Sequence, residues 1–170
     1  MRDRAAQLRR ALHDGLSLIL DPALKLLEHV IVALGIAMLT VVFVQVVLRY
    51  VINASFYGSE EFSRFLFTWF IFMSATLGLD RGIHFAVDVF VRLLPKGVQR
   101  VLELLVYLII LALLILFVVK GIELTARNWR QLSSAMQVPL SYANAAIPTG
   151  ASLMLLITLR KMLRPRDHAA

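Results

Sequence analysis

The run LLVYLIILALLILFVV, residues 104–119, decides the fold class of this protein. It contains 16 uncharged residues in succession, with no proline or glycine to end a helix. A helix that crosses a bilayer needs about 20 residues. The run reaches that length if Glu103 and Lys120, which flank it, hold their charged ends at the two membrane interfaces. The run therefore predicts a transmembrane helix.

The composition of the whole chain also indicates a membrane protein. Of its 170 residues, 59 % are hydrophobic and 17 % are charged, against roughly 45–50 % and about 25 % in soluble domains. The mean hydropathy is +0.77. The absence of cysteine excludes disulfides, thiolate metal sites and iron–sulfur clusters. The net charge is +7. In a chain this apolar, such an excess is typical of membrane proteins, whose cytoplasmic loops are rich in Lys and Arg. We therefore expect membrane lipids, and no nucleic acid, as partners.

Three further apolar segments accompany this run, at residues 30–48, 65–79 and 143–159. We therefore predict an all-α membrane protein with four transmembrane helices. The predicted helices lie near residues 23–49, 60–81, 98–123 and 141–162.

The positions of Lys and Arg predict the orientation. Thirteen lie in the two terminal segments and the second loop, whereas the first and third loops hold four, which are Arg49, Lys120, Arg127 and Arg130. Positive residues favour the cytoplasmic side of a membrane protein. We therefore expect a multi-pass protein of the bacterial inner membrane with both termini in the cytoplasm.

The N-terminal segment, residues 1–21, has an amphipathic pattern. Its apolar residues recur at helical spacing, with charges between them, at Leu8, Leu12, Leu16 and Ile19. This pattern predicts a helix on the inner membrane surface. Asp21 as N-cap and Pro22 at the first helical position predict that a new helix begins there, so that residues 22–163 form the transmembrane domain and 164–170 a cytoplasmic tail. The second loop, residues 84–94, predicts another amphipathic interfacial helix.

The charges of the chain lie near the predicted helix ends, and the middle of each helix is apolar or weakly polar. Ionisable groups inside a membrane mark paths for ions and substrates, so this pattern argues against a transporter that acts alone. We predict no catalytic, cofactor-binding or metal-binding residue. Asp80, His84 and Asp88 would share one helical face, but they lack a fourth metal ligand. A polar turn at the inner surface is the favoured interpretation.

Two rival functions remain open. In one, the chain associates with itself to form a pore, and Gln45, Thr68 and Thr76 line the path. In the other, the chain is a membrane-embedded enzyme acting on lipid, and His84 with Asp88 supplies an acid–base pair. No stripe of polar groups supports the pore, and no recognisable catalytic motif supports the enzyme.

The second predicted helix carries several features of an interface. Glu60 and Glu61 at its start suit the positive end of the helix dipole, and Arg64 is spaced to pair with either of them. Trp69 lies in a cluster of six aromatic residues. Ser74, Gly78 and Gly82 follow at four-residue spacing, which allows close approach of another helix.

Pro148 lies inside the fourth predicted helix. It denies the carbonyl group of Asn144 its usual partner, which predicts a kink there.

Three stretches, in this order, carry a family resemblance. The first is Arg49-Tyr50 followed by Glu60-Glu61 and the aromatic helix, and the second is RGIHFAVD at residues 81–88. The third is Val138-Pro139 followed by IPTGA at residues 147–151 and by Leu-Met at 153–154. With these stretches in a basic four-span chain, the protein resembles the small membrane subunit of TRAP transporters (tripartite ATP-independent periplasmic transporters), the DctQ-like family.

The resemblance implies a three-part secondary transporter. A periplasmic substrate-binding protein would capture an organic acid, and a large multi-span subunit would import it with sodium. The small subunit would hold no substrate and would act as a scaffold for the large one. The candidate residues for the partner interface are Arg49, Glu60, Glu61, Arg64, Trp69, Gly78, Arg81, His84, Asp88 and Pro148.

Overall fold

The computed structural model describes residues 2–53, 57–82 and 95–163, and these form five helices. They are α1 (Arg2–Tyr50), α2 (Ser59–Asp80), α3 (Lys96–Arg127), α4 (Ser141–Asn144) and α5 (Ala146–Leu163). Four segments are long and apolar enough to cross a membrane, namely Asp14–Tyr50, Ser59–Asp80, Gly97–Arg127 and Ser141–Met162. The predicted all-α fold with four membrane spans is therefore confirmed. The predicted loop helix at 84–94 and the tail at 164–170 lie outside the described residues.

The predicted start of a new helix at Asp21 is wrong. α1 is continuous over 49 residues, with Pro22 inside it. A proline in a helix interior leaves the carbonyl group four residues earlier, here that of Leu18, without its helical N–H. The side chain of Asp21 accepts a hydrogen bond from Arg160 of α5 at 2.7 Å, so it serves a contact between helices. At 1.5 Å per residue α1 is about 74 Å long, which exceeds the thickness of a bilayer.

The helix is interrupted just before Pro148, at the position of the predicted kink, although Ala145 at the break keeps helical backbone angles. α4 ends at Asn144, Ala145 is a turn, and α5 begins at Ala146. Pro148 has no N–H to offer to Asn144. The Thr149 hydroxyl donates to the carbonyl oxygen of Ala145 at 2.7 Å, as does its backbone N–H at 3.2 Å.

α5 is the central helix of the bundle. It packs against α1, α2 and α3, whereas α3 contacts only α4 and α5 among the described elements. Within the apolar part of each membrane span, 33 % of the residues from α4 and α5 are buried, against 0 % for α1. The helices therefore lie side by side around α5, and α1 and α3 occupy the outer positions.

Two glycines allow neighbouring helices to approach α5 closely. A Cβ atom at Gly150 would lie 2.9 Å from the Cβ atom of Phe72 on α2, and one at Gly121 on α3 would lie 2.9 Å from the Cδ atom of Pro148. Such separations are shorter than carbon–carbon contact allows, so glycine is required at both positions. Small residues at helix contacts have this effect in membranes.

The predicted row of Ser74, Gly78 and Gly82 does not form along one helix. α2 ends at Asp80, and Gly82 lies in the following turn with a φ of +74°. Because α2 ends at Asp80, the predicted shared face of Asp80, His84 and Asp88 extends into residues outside the described ranges.

The outward surfaces of α1 and α3 are apolar and uncovered. Large hydrophobic side chains are exposed along both helices, among them Val32, Leu39 and Phe43 on α1 and Leu108, Ile115 and Ile122 on α3. Soluble monomers rarely expose a continuous apolar patch of more than a few hundred Å². These surfaces therefore suit lipid tails or the apolar helices of another membrane protein.

Candidate functional site

The polar contacts of the bundle gather at its two ends. We call the end that holds residues 51–53, 57–58 and 128–140 the hairpin end. The end that holds Asp21, Asp80 and Arg160 is called the terminal end. Along α2, Asp80 at the terminal end follows Glu61 at the hairpin end by 19 positions. At 1.5 Å per residue this is about 28 Å, close to the ~30 Å thickness of the hydrocarbon core of a bilayer.

At the hairpin end, the carboxylate of Glu61 binds the turn between α3 and α4. It accepts hydrogen bonds from three successive backbone N–H groups, those of Ser134, Ala135 and Met136, each at 3.0 Å. Three consecutive N–H groups that point to one place form a site for a negative charge. Glu61 therefore fixes the long α3–α4 connection onto the start of α2.

The turn that Glu61 binds has its own internal support. The N–H group of Ser133 donates to the carbonyl oxygen of Val138, and that of Leu140 donates to Gln131, both at 2.9 Å. Gly58, which precedes α2, lies against Met136 and has a φ of +91°. Only glycine adopts that conformation without strain, and a Cβ atom there would lie 3.1 Å from Met136 Cγ.

Trp69 makes a contact between α2 and α4. Its indole N–H donates to the carbonyl oxygen of Tyr142 at 2.9 Å. The ring of Tyr142 in turn lies 6.2 Å from that of Trp129, centroid to centroid. Tryptophan and tyrosine are enriched at membrane–water interfaces, and Trp129 lies at the hairpin end of the bundle, whereas Trp69 lies near the middle of α2.

At the terminal end, Arg160 of α5 joins three helices. Its guanidinium group donates to Asp21 of α1 at 2.7 Å and also to Asp80 at the end of α2. The Arg160 side chain is only 14 % exposed, and that of Asp80 is 22 % exposed. Because both charges are largely withdrawn from water, each needs the other to offset its lost hydration.

Two further contacts lie at the terminal end. Arg81 pairs with Glu28 of α1, with both side chains open to solvent. Lys161 donates to the carbonyl oxygen of Leu79, one of the last carbonyls of α2. A cation at a helix C-terminus is favourable because it faces the negative end of the helix dipole.

The predicted ion pair of Arg64 is not formed. Glu61 is bonded to the α3–α4 turn instead. Glu60 and Arg64 are both exposed and do not pair with each other. Arg49, at the end of α1, lies 6.0 Å from the ring centroid of Tyr50. Gly78 is half-buried within α2. His84 and Asp88 lie outside the described residues.

Sequence reasoning missed the partners of the charged residues that join the helices. It treated Asp21 as a helix cap and counted Arg160 only toward the orientation, whereas the two are paired. It did not single out Gly35 or Gly121. Gly35 of α1 faces the ring of Phe70, with a Cβ position 3.3 Å from Cε2. A glycine in an otherwise large-residue apolar helix is the one signal that marks such positions.

Several threonine hydroxyls between the two ends are bonded within their own helices, whereas the buried hydroxyl of Ser74 has no hydrogen-bond partner in the described part of the chain. The hydroxyl groups of Thr40, Thr76 and Thr158 each donate to the carbonyl oxygen four residues earlier, at 2.8 Å. Thr76 is also fully buried against Gly150. The apolar runs of the four spans contain no Asp, Glu, Lys, Arg or His. The arrangement thus holds helices together and presents apolar surfaces outward, which defines a small multi-pass membrane protein built for contact with lipid or another subunit.

Comparison with known proteins assigns this membrane protein to a family. The sequence model of the DctQ component of tripartite ATP-independent periplasmic transporters matches residues 18–167. The chain belongs to this family of TRAP transporter small permease subunits, as its three characteristic stretches indicated. The match includes all four membrane spans, except for the first four residues of the first.

Individual relatives carry corresponding names. The chain is 38 % identical over 79 residues to a Haemophilus influenzae protein named as a TRAP transporter small permease, covering 46 % of the chain and 49 % of that relative. A second H. influenzae protein of the same name is 24 % identical over 140 residues, which are 82 % of the chain and 85 % of the relative. The C4-dicarboxylate TRAP transporter small permease protein DctQ of Vibrio cholerae is 29 % identical over 83 residues, covering 49 % and 36 %. The chain thus spans about half the length of the first relative and most of the second.

Replacing Glu61 by Gln tests the contact with the α3–α4 turn. A glutamine side chain offers one acceptor oxygen and no negative charge to the three N–H groups. We expect backbone amide hydrogen exchange at Ala135 and Met136 to become several-fold faster than in the wild type. Hydrogen exchange measured by mass spectrometry on the purified protein reports this change. Glu60→Gln is the matched control, and equal exchange in both variants would contradict the assigned role of Glu61.

Replacing Arg160 tests the three-helix contact at the terminal end. Arg160→Gln leaves Asp80 largely buried without its cation, and we expect a loss of about 1.5–3 kcal/mol in the free energy of unfolding. Arg81→Gln removes an exposed ion pair and should cost less than about 1 kcal/mol. Thermal unfolding, followed by the fluorescence of Trp69 and Trp129, compares the two variants. An Arg81 variant as unstable as the Arg160 variant would show that burial does not set the importance of these contacts.

Proposed function

We propose that this protein is the scaffold subunit of a TRAP transporter that imports an organic acid together with sodium. Its partners are the large multi-span transport subunit and a periplasmic substrate-binding protein. Family membership supports the assignment of this chain as the small subunit of such a transporter. The name of the V. cholerae relative, a C4-dicarboxylate small permease protein, supports an organic acid as the transported class.

The observation that supports the scaffold role is that many polar residues of the bundle bond to other groups of the same chain. The charged groups at the terminal end, such as Arg160 and Asp80, bind each other across helices. Glu61 binds a turn of the same chain. Threonine hydroxyls in the middle of the spans bind their own helix backbones, as Thr40 does at 2.8 Å. The charged groups therefore hold the bundle together and the threonine hydroxyls are bonded within their own helices, which suits a subunit that leaves the solute to its partner.

The orientation belongs to the same proposal. The terminal end carries Arg81, Arg160 and Lys161, and the first and third loops carry few cations. The excess of positive residues supports a cytoplasmic terminal end. The hairpin end would then face the periplasm, where Tyr57 and Trp129, 80 % and 60 % exposed, would be available to a docked substrate-binding protein. The chain would lie in the bacterial inner membrane.

The surface proposed for the large subunit combines apolar helix faces with unpaired charges. α1 and α3 expose large apolar side chains on the sides turned away from α5. Glu60 and Arg64 project from the first two turns of α2 and are exposed, without an ion pair to each other. Charged groups at the edge of an apolar interface give specificity and fix register.

The rival functions receive less support. A pore lined by Gln45, Thr68 and Thr76 would need these polar groups to face a common path, but Thr76 is fully buried between α2 and α5. Thr68 donates to the carbonyl oxygen of Arg64 in its own helix. The lipid enzyme rests on His84 and Asp88, which lie outside the described residues.

The charges on α2 provide a test of the partner surface. We expect Glu60→Ala and Arg64→Ala to weaken co-purification with the large subunit while leaving expression of this chain unchanged, because both side chains are exposed and support no described contact in the bundle. Lys25→Ala, which removes an exposed charge near the terminal end, is the matched control. Quantitative pull-down from membranes measures the effect. Full retention of the large subunit by both α2 variants would remove these residues from the interface.

Reconstitution tests the scaffold function as a whole. We expect the purified chain alone to take up no organic acid in proteoliposomes with an imposed sodium gradient. Uptake should appear when the large subunit and the substrate-binding protein are added, and should fall when this chain alone is omitted. Radiolabelled succinate serves as the probe for a C4-dicarboxylate. Sodium-driven uptake by the chain alone would overturn the scaffold assignment, as would full activity of the complex without it.

A further inference from the structure

A groove at the hairpin end has features that the scaffold role does not use. It lies between the last turns of α3 and the start of α5 and has a volume of about 560 Å³. Its floor and walls are formed by Ile122, Thr125, Ala126, Arg127, Trp129, Arg130 and Pro148. The close approach of Gly121 to Pro148 brings the two helices together beside it. The groove therefore joins an apolar crevice to two guanidinium groups.

The charges around the groove are concentrated and only partly neutralised. Of the four cations counted for the first and third loops, Lys120, Arg127 and Arg130 lie within 11 consecutive residues. Glu123 binds two of them, Lys120 at 2.8 Å and Arg127 at 2.7 Å. Arg130 is exposed and has no ion pair among the described residues. A net positive charge thus remains at the mouth of the groove.

The position of the groove along α3 matches the headgroup layer of a membrane. The uncharged run ends at residue 119, and Ile122 and Thr125 follow within two turns. Trp129, which is 60 % exposed, stands beside Arg130 at the outer edge. Tryptophan and arginine at this depth are typical of contacts with the interfacial region of a bilayer.

We propose that this groove binds one anionic glycerophospholipid, with its phosphodiester on Arg127 and Arg130 and an acyl chain against Ile122 and Pro148. Arginine matches phosphate oxygens with paired N–H donors. The apolar lining and the adjoining exposed side of α3 suit a hydrocarbon chain. A soluble anion would satisfy the guanidinium groups but would leave this apolar lining uncovered, so the combination favours a lipid.

The first test measures lipid retention by the purified full-length chain. Native mass spectrometry after incubation with dioleoylphosphatidylglycerol or dioleoylphosphatidylcholine should show preferential retention of the anionic lipid. Loss of the charge-assisted contacts in an Arg127→Gln/Arg130→Gln variant should lower this retention about tenfold. Arg49→Gln removes an arginine at the same end but outside the groove and should retain the lipid as the wild type does. Equal retention by all three proteins, or no preference for phosphatidylglycerol, would overturn the proposal.

A second variant separates the groove from its charge. Ala126→Phe fills the apolar part and leaves both arginines in place, so we expect it to lose the lipid while its thermal unfolding temperature without lipid stays near that of the wild type. Glycerol 3-phosphate, which lacks acyl chains, should not protect the wild type against thermal unfolding. Retained lipid in the Ala126→Phe variant, or protection by glycerol 3-phosphate equal to that by phosphatidylglycerol, would overturn the proposal.

A third measurement asks what occupies the groove in the assembled transporter. A photo-crosslinking residue at position 126, in the complex within native membranes, should form adducts with phospholipid. A crosslink to the large subunit would instead assign the groove to the protein interface and overturn lipid binding there.

Discussion

The apolar middle of the bilayer is the constraint on which the rest of this structure depends. A charged side chain in hydrocarbon costs several kcal/mol, so contacts between charged groups are confined to the two ends of the bundle. Glu61 binds the α3–α4 turn at one end, and Arg160 binds Asp21 and Asp80 at the other. The helices are thus joined at both ends by polar groups. Between the ends they are held mainly by packing, with hydrogen bonds between helices from Trp69 to Tyr142 and from Thr76 to Gly150.

In the apolar middle of the bundle, close packing places α5 at the centre. Apolar burial drives helix association weakly in lipid, because the tails are as apolar as the side chains, so close contact between backbones becomes important. Gly121 and Gly150 provide that contact on two sides of α5, toward Pro148 and Phe72. α1 and α3 lie outside and keep surfaces of large aliphatic residues. The same distribution of small and large residues therefore explains both the internal order of the helices and the uncovered faces that the proposed scaffold role needs.

The number and the approximate bounds of the spans were predictable because a charge-free run is a local property of the sequence. The partners of the charged residues were not. Helical spacing placed Arg64 beside Glu61, but three N–H groups from a turn more than 70 residues away bind that carboxylate. An exposed ion pair within one helix contributes little, so it does not compete with three hydrogen bonds to one charge. Such contacts depend on the tertiary arrangement, which spacing along one helix does not contain.

The wrong prediction at Asp21 shows that one local pattern, an acid followed by proline, is compatible with a helix start and with a contact between helices. An acid followed by proline is favourable at the start of a helix, but the acid is equally able to bind a cation on a neighbouring helix. In this protein Arg160 takes Asp21 as a partner, and α1 continues through Pro22. The part of α1 that precedes Asp21 is therefore a continuation of a membrane-spanning helix. The ion pair between Asp21 and Arg160 joins α1 to α5 near the end of the apolar region. A scaffold that must hold a constant depth in the membrane gains from such a contact, since a shift of α1 along its axis would separate Asp21 from Arg160.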